Sequence, residues 1–129
     1  MIPPAGDVDA EPFWAALGDG TLLVSVCESC GHRWLPPLPT CPRCASRAIT
    51  NAKAAPTGAL YSWTVVHRAA DPVYAEEVPY TVGLVELGDG ARMYGRVVGV
   101  AHDDLRPDLP LAVRVRRVGD QPIWEFVPA

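Results

Sequence analysis

The 129-residue sequence predicts a mainly β protein in two parts: an N-terminal helix with a metal-stapled ribbon over residues 1–56, and a five-stranded barrel over 57–129. Two observations lead there. All four cysteines fall into two Cys-x-x-Cys pairs, Cys27/Cys30 and Cys41/Cys44, with ten residues between the pairs. From Gly58 onward the chain instead alternates apolar and polar residues at period two, interrupted by Gly- and Asp-rich turns, which is the pattern of short strands.

In the first part, Asp9 suits the N-cap of a helix over 9–17, with Glu11 and a tolerated Pro12 in its first turn. Phe13, Trp14 and Leu17 share one face of that helix, and Gly18-Asp19-Gly20 ends it. Residues 22–26 read as a strand that delivers Cys27. The segment 34–39, Trp-Leu-Pro-Pro-Leu-Pro, is an extended, proline-stiffened return to Cys41. Residues 45–56 have mixed polarity and read as a connector.

In the second part, Tyr61, Trp63 and Val65 alternate with Ser62 and Thr64, predicting a strand over 59–67. A second strand spans 80–87, and Gly88-Asp89-Gly90 turns it into a third over 91–100. Gly95 and Gly99 within the third suggest bends or bulges that curl a small sheet. A turn-rich connection over 103–110 precedes a fourth strand over 111–118, and Gly119-Asp120 leads to a fifth over 123–127. Five short, strongly curved strands point to an OB-type Greek-key barrel.

The cysteine pattern is that of a tetrahedral site. Each Cys-x-x-Cys turn brings two thiolates to one ion, and Gly31 permits the tight turn after the first pair. Zinc is the expected ion, with rubredoxin-like iron the alternative that tetrahedral sulfur also accepts. A site closed by Cys27, Cys30, Cys41 and Cys44 has no open position, so the metal organises the chain and carries no chemistry.

Composition narrows the function classes. Hydrophobic residues make up 49% and charged residues 20%, a globular balance, while the net charge of −4 opposes generic nucleic-acid binding. No stretch approaches the roughly 18 apolar residues of a membrane span, and the opening Met1–Asp7 lacks an apolar leader core, so a cytoplasmic location and no membrane partner are expected. Cysteines committed to metal agree with a reducing compartment.

Catalytic chemistry is harder to find. With every cysteine assigned to metal and no Gly-x-Ser-x-Gly elbow present, no catalytic residue is nominated. His32 is expected to pack beside the metal site, His102 to face solvent, and His67 to end the first barrel strand beside Arg68. Ten of the eleven basic residues are arginines, and Arg92/Arg96 and Arg114/Arg116 each share a strand face. Arg68, Arg92 and Arg96 are the candidates for contacting the nucleotide end of coenzyme A, against the plainer reading of a solvated, ion-paired face. Tyr61, Trp63, Trp124 and Phe126 offer a stacking platform of the kind OB folds use for single-stranded nucleic acid, with core packing expected for at least half of them.

Taken in order, Glu11-Pro12-Phe13-Trp14, Gly20-Thr21-Leu22-Leu23, Cys27-x-x-Cys30-Gly31, Pro36-Pro37, Cys41-Pro42-x-Cys44, Gly58-x-x-Tyr61-Ser62-Trp63-Thr64-Val65-Val66-His67, Pro79-Tyr80 and Val85-Glu86-Leu87 resemble the zinc-ribbon OB-fold proteins associated with acyl-CoA enzymes. The resemblance covers almost the whole chain and implies a helix and rubredoxin-like zinc ribbon followed by an OB barrel. It also implies a non-catalytic auxiliary subunit in a hetero-oligomer. The partner would be a thiolase-like enzyme or a lipid-transfer-protein-like aldolase of steroid side-chain breakdown, or a hot-dog-fold hydratase. Such a subunit supports an acyl-CoA channel, and coenzyme A becomes a candidate contact. The alternative is a single-stranded nucleic-acid-binding ribbon and barrel; a rubredoxin-like electron carrier is a third. The helix around Phe13 and Trp14, the 34–39 segment and the 69–79 loop are the expected docking elements. One departure is Ala45, where the family has glycine after the fourth cysteine; a left-handed residue there costs roughly 1–2 kcal/mol and predicts a slightly rearranged second knuckle.

Overall fold

A computed structural model describes residues 11–35 and 37–129. The Asp9 cap, the opening segment and Pro36 lie outside the described residues. Helix α1, Glu11–Gly18, buries Phe13 and Leu17, which are four apart and so share one face. The strands that follow are β1 Leu23–Cys27, β2 Arg33–Trp34 and β3 Ile49–Lys53, joined in the order β2-β1-β3.

Strand β3 corrects the reading of 45–56 as a plain connector. Its residues Ile-Thr-Asn-Ala-Lys have no apolar alternation and none is buried, so the period-two signal is missing. Backbone pairing makes the strand instead: it runs antiparallel to β1 from Leu23↔Lys53 to Cys27↔Ile49. Thr50 Oγ1 adds a 2.8 Å bond to Glu28.

The second part closes into a barrel in the order β4-β5-β6-β8-β7, formed by β4 Thr57–Val66, β5 Tyr80–Leu87, β6 Arg92–Val97, β7 Pro110–Val118 and β8 Gln121–Pro128. Neighbours run antiparallel except β6 and β8, which meet in parallel at Val97↔Phe126. A short helix α2, Pro72–Ala75, begins at Asp71, whose carboxylate accepts from Val73 N at 2.9 Å. A 3₁₀ turn, His102–Asp104, lies in the connection between β6 and β7.

The curvature arises differently from the sequence expectation. The third barrel strand ends at Val97, before Gly99 at φ +82°, and no bulge sits at Gly95. The bulge is in β4, where Leu60 pairs with Val85 and Ser62 with Leu84, leaving Tyr61 as the extra residue. Gly95 serves close approach instead: a Cβ there would lie 2.7 Å from the Phe126 ring and 3.1 Å from Trp124 Nε1.

Helix, ribbon and barrel share one core. Phe13, Leu17, Leu22, Val24 and Ala54 cluster with Leu60, Val85, Met93, Leu111 and Phe126. The Phe13 ring meets Trp124 of β8 edge-on at 5.6 Å, with Trp14 tilted against the same indole at 5.8 Å. The helix end is tied down as well, since Arg117 donates to Gly18 O and Asp120 O, both at 3.0 Å. Asp89, in the β5–β6 turn, accepts from Ala55 N and Ala91 N at 3.0 Å, with Arg33 of β2 3.9 Å away. It thus joins the hairpin to the chain leaving the ribbon.

Gly95→Ala should cost about 1–3 kcal/mol, because the added methyl meets the fully buried Phe126 ring in a closed barrel. Gly88→Ala, whose Cβ would find its nearest neighbour at an ordinary 3.5 Å, should stay within about 0.5 kcal/mol of the parent. Chemical denaturation of both variants beside the parent tests the contrast, and equal losses would refute the close-approach reading.

Candidate metal centre

Two backbone knuckles of matching design carry the four cysteines. In the first, Cys27 N donates to His32 O at 2.9 Å and Gly31 N donates to Cys27 O at 2.8 Å. In the second, Cys41 N donates to Ser46 O and Ala45 N to Cys41 O, both at 2.9 Å. Each turn ends on a left-handed residue, Gly31 at φ +77° and Ala45 at φ +63°. The predicted rearrangement of the second knuckle therefore does not occur; Ala45 is held in the strained region while the knuckle keeps its bonds. A 2.9 Å bond between Ser29 and Ser46 hydroxyls links the two turns.

This geometry brings the four Sγ atoms within 4.8 Å of one another. Cys27 and Cys44 are 3.5 Å apart, and Cys30 and Cys41 3.7 Å. Four sulfurs at the usual zinc–thiolate length of ~2.3 Å on a tetrahedron lie about 3.8 Å from each other, so the set fits that ion. Cys27 and Cys41 are buried while Cys30 and Cys44 face outward. Arg43 N donates to Cys41 Sγ at 3.4 Å, the kind of bond that orients and stabilises a thiolate ligand.

The thiols are electrostatically unequal. Burial works to raise Cys27, but hydrogen bonds from the backbone N–H groups of Cys30 and Ser29, with the Cys44 and Cys30 side chains, outweigh it and bring the thiol down to about 6. At Cys44 a bond from the Ser46 backbone pulls down, yet the Cys27 side chain, burial and the Cys30 and Cys41 side chains together push it up to about 12. One negative charge resists the next among crowded sulfurs. A bound divalent cation removes that conflict, since it takes all its cysteines as thiolates.

Around the sulfurs, Trp34 packs with Cys27 and Cys41 in a small cluster flanked by Ile49. His32 stacks on Trp34 at 5.6 Å between ring centroids and 18° between planes, and it stands outside the four-sulfur group, as a packing residue. The 34–39 segment is accordingly mixed: Trp34 is buried, whereas Leu38 is 43% exposed. Phe13 is also buried, against the barrel, so the exposure expected of that side chain is not there, while Trp14 stays partly exposed.

The remaining sequence candidates are dispersed. Arg68 is exposed just beyond β4. Arg92 lies 4.0 Å over the Tyr61 ring and 3.6 Å from Glu86. Arg96 stacks at 3.7 Å on Tyr80 and forms a two-pronged pair with Glu77 at 3.2 and 3.3 Å. Those bonds to Arg96 hold the Glu77 carboxyl below its ordinary range. Arg114 and Arg116 both donate to Glu125 Oε1. His67 and His102 are exposed on separate segments. Of the aromatic platform, Phe126 is fully buried and Trp124 packs on α1, while Tyr61 and Trp63 are 53% and 36% exposed. Sequence reasoning missed Glu125, a 2%-exposed carboxylate; the signal was there in a lone acid within Ile-Trp-Glu-Phe, across the β7–β8 ladder from Arg114.

Comparison with known proteins bears on this arrangement. Residues 14–50 match the model for the ChsH2 rubredoxin-like zinc ribbon domain, and 52–116 match that for the ChsH2 C-terminal OB-fold domain. A probable enoyl-CoA hydratase alpha subunit of Thermomonospora curvata is 34% identical over 110 residues, covering 85% of this chain but only 34% of that protein. A DUF35 domain-containing scaffold protein of Methanocaldococcus jannaschii is 27% identical over 107 residues, 81% of this chain and 75% of that protein. Among solved structures, a chain of an Ltp2-ChsH2(DUF35) aldolase superposes with a TM-score of 0.85 at 31% identity, covering 98% of both chains.

Elemental analysis of the purified chain should give one zinc per molecule; none, or iron instead, would overturn the metal reading. Cys41→Ser or chelation should open the ribbon, because structural zinc contributes on the order of 10 kcal/mol to organising its module. New protease cuts should fall between the two knuckles, with barrel strands still protected against hydrogen exchange. Ala45→Gly should raise the stability of the metal-loaded ribbon by roughly 1 kcal/mol, since glycine adopts φ +63° without the Cβ conflict. Chelator-competition midpoints for the two proteins measure this, and no gain would mean the strain is relieved elsewhere.

Proposed function

This chain belongs to the ChsH2 family of zinc-ribbon and OB-fold proteins, and from that membership we propose that it is a non-catalytic auxiliary subunit of an acyl-CoA-processing enzyme complex. The observation that carries the reading is the end-to-end match to the ChsH2(DUF35) chain of an aldolase. Two parts superposing together, at 98% coverage of each chain, argue for the same use of the whole module and not merely a shared barrel. The partner in this reading is a thiolase-like or lipid-transfer-protein-like enzyme that supplies the catalytic groups. This chain stabilises it and its acyl-CoA channel.

The match to a third of a longer protein named as a hydratase alpha subunit supports the same reading from another side. In this reading the matched module serves an accessory purpose in either protein, so a hydratase is the second candidate partner. Residues Leu38 and Val73, exposed at 43% and 62% on the 37–39 and 69–79 segments, are the proposed contacts.

The nucleic-acid alternative loses support from the arginines. Arg92 and Arg96 each pair with a carboxylate of their own and Arg114 and Arg116 share Glu125, which reduces the positive charge that a phosphate backbone needs. The same pairing weakens Arg92 and Arg96 as coenzyme A contacts, leaving Arg68 as the proposed phosphate ligand if the nucleotide reaches this chain.

Co-expression with a thiolase-like aldolase or a hydratase subunit from the same source should give a single complex on size-exclusion chromatography. Acyl-CoA turnover should appear in the complex and not in this chain alone. Turnover by the isolated chain, or an enzyme equally soluble and active without it, would overturn the auxiliary role.

A further inference from the structure

The connection between β4 and β5, residues 67–79, is long for a hairpin and keeps its shape without burial. The two strands pair up to Val66↔Tyr80, leaving a loop of 13 residues where hairpins commonly have about 2–5. No residue of 67–79 is buried, so apolar packing does not fix it. Its backbone bonds are local: Tyr74 N donates to Asp71 O and Glu77 N to Tyr74 O, both at 3.0 Å, and the Asp71 carboxylate caps α2. A loop of this kind opens easily unless a side chain ties it to the frame.

Arg96 supplies that tie. It stands opposite Val82 in the β5–β6 ladder, which makes Tyr80, two residues along, its diagonal neighbour on the same face. The guanidinium lies 3.7 Å over the Tyr80 ring and 5.7 Å from the Tyr74 ring of α2, and its two terminal nitrogens donate to the two Glu77 oxygens. One side chain on β6 therefore meets the start of β5, the short helix and the far end of the loop. Exposed ion pairs usually contribute little, but this one is forked, its arginine side chain is only 20% exposed, and the cation rests on an aromatic ring. Arg92 touches Tyr61 and Glu86 in a similar way, yet those residues lie on strands that the β4–β5–β6 ladders already join.

We propose that Arg96 is a positioning residue for docking: it latches the 67–79 loop to the barrel, so that α2 meets the enzyme subunit in one fixed conformation. Val73, two residues beyond the Asp71 cap and outward on α2, is the side chain so presented. A loop ordered beforehand loses less conformational freedom on binding, so the latch strengthens the complex without Arg96 touching the partner. It also gives Arg96 a use inside the chain in place of a phosphate contact. The docking half of the proposal rests on the auxiliary-subunit reading, whereas the latch itself is tested on this chain alone.

Amide hydrogen exchange of the zinc-loaded chain reads the latch. Arg96→Ala should speed exchange at Val73, Tyr74 and Glu77 roughly tenfold while the β5 and β6 amides keep their protection. Arg96→Lys keeps the charge but not the fork, and should fall between. Glu77→Gln should loosen the same amides, and adding it to Arg96→Ala should have no further effect, because the pair acts as a unit. Arg92→Ala, which removes an equivalent set of contacts from the same strand, should leave the loop protected. Titration calorimetry with a thiolase-like aldolase subunit from the same source reads the docking half: Arg96→Ala should raise Kd roughly tenfold, mainly through a less favourable entropy, with Arg96→Lys again between. Unchanged loop protection in Arg96→Ala overturns the latch, as does loosening that extends equally through the barrel. A freed loop with unchanged affinity overturns the positioning role. A parent chain that binds no such enzyme overturns the auxiliary reading and the docking half with it, a failure recognised by its appearing before any substitution is made.

Discussion

Four sulfurs held within 4.8 Å of one another are the constraint on which the first half of the molecule depends. Among the described residues the ribbon has little apolar interior of its own: Trp34 and Ile49 pack around Cys27 and Cys41. Without a cation the sulfurs share their protons unequally, hydrogen bonds bringing Cys27 down to about 6 while the neighbouring thiols and burial push Cys44 up to about 12. With one, the two knuckles would be held together, and β1, which leads into the first knuckle, would be fixed in direction. Its other end carries Leu22 and Val24 into the shared core, so the metal's influence on geometry extends to the barrel.

The barrel imposes a second constraint on that shared core. Five strands closing around Phe126 leave no space at Gly95 or Gly83, where a Cβ would sit 2.7 Å from Phe126 and Val97 respectively. On its outside, Glu125 is 2% exposed and accepts from Arg114 and Arg116, whose own side chains stay half exposed. A buried carboxylate is tolerated because two guanidiniums satisfy it while remaining hydrated, which avoids most of the desolvation cost of a fully buried pair. Asp89 and Arg117 then tie hairpin, ribbon exit and helix to this frame.

What could be read in advance followed the kind of signal each feature leaves. Strand β5 matches its predicted limits, 80–87, because Thr81, Gly83, Val85 and Leu87 alternate inward. The cysteine set was legible from spacing alone, and the left-handed Ala45 from its place in a repeated turn. Strand β3 was not legible, because partner backbone and not side-chain burial holds it. Nor was the bulge at Tyr61, which moves Trp63 out of the alternation its sequence suggests and sets it opposite Gly83. The exposure expected of Phe13 failed for a related reason: a helix face of Phe, Trp and Leu fits a neighbour within the chain as readily as one outside it, and Trp124 lay too far along the sequence to be recognised as that neighbour.

The disposition of charge bears on what kind of protein this is. A catalyst or phosphate binder keeps some ionisable groups unpaired and converging on one cleft. Here Arg92 and Arg96 pair with Glu86 and Glu77, Arg114 and Arg116 share Glu125, and the cysteines are gathered into one closed set. The outward groups include aromatic and aliphatic side chains, with Tyr61, Trp63, Tyr94 and Val73 all at least 36% exposed. Tyrosine and tryptophan give large contact area for little lost side-chain freedom, which makes them the residues of recognition surfaces. A rigid, internally paired frame with aromatic residues outward suits holding other proteins in position. That is the property the accessory role proposed above requires.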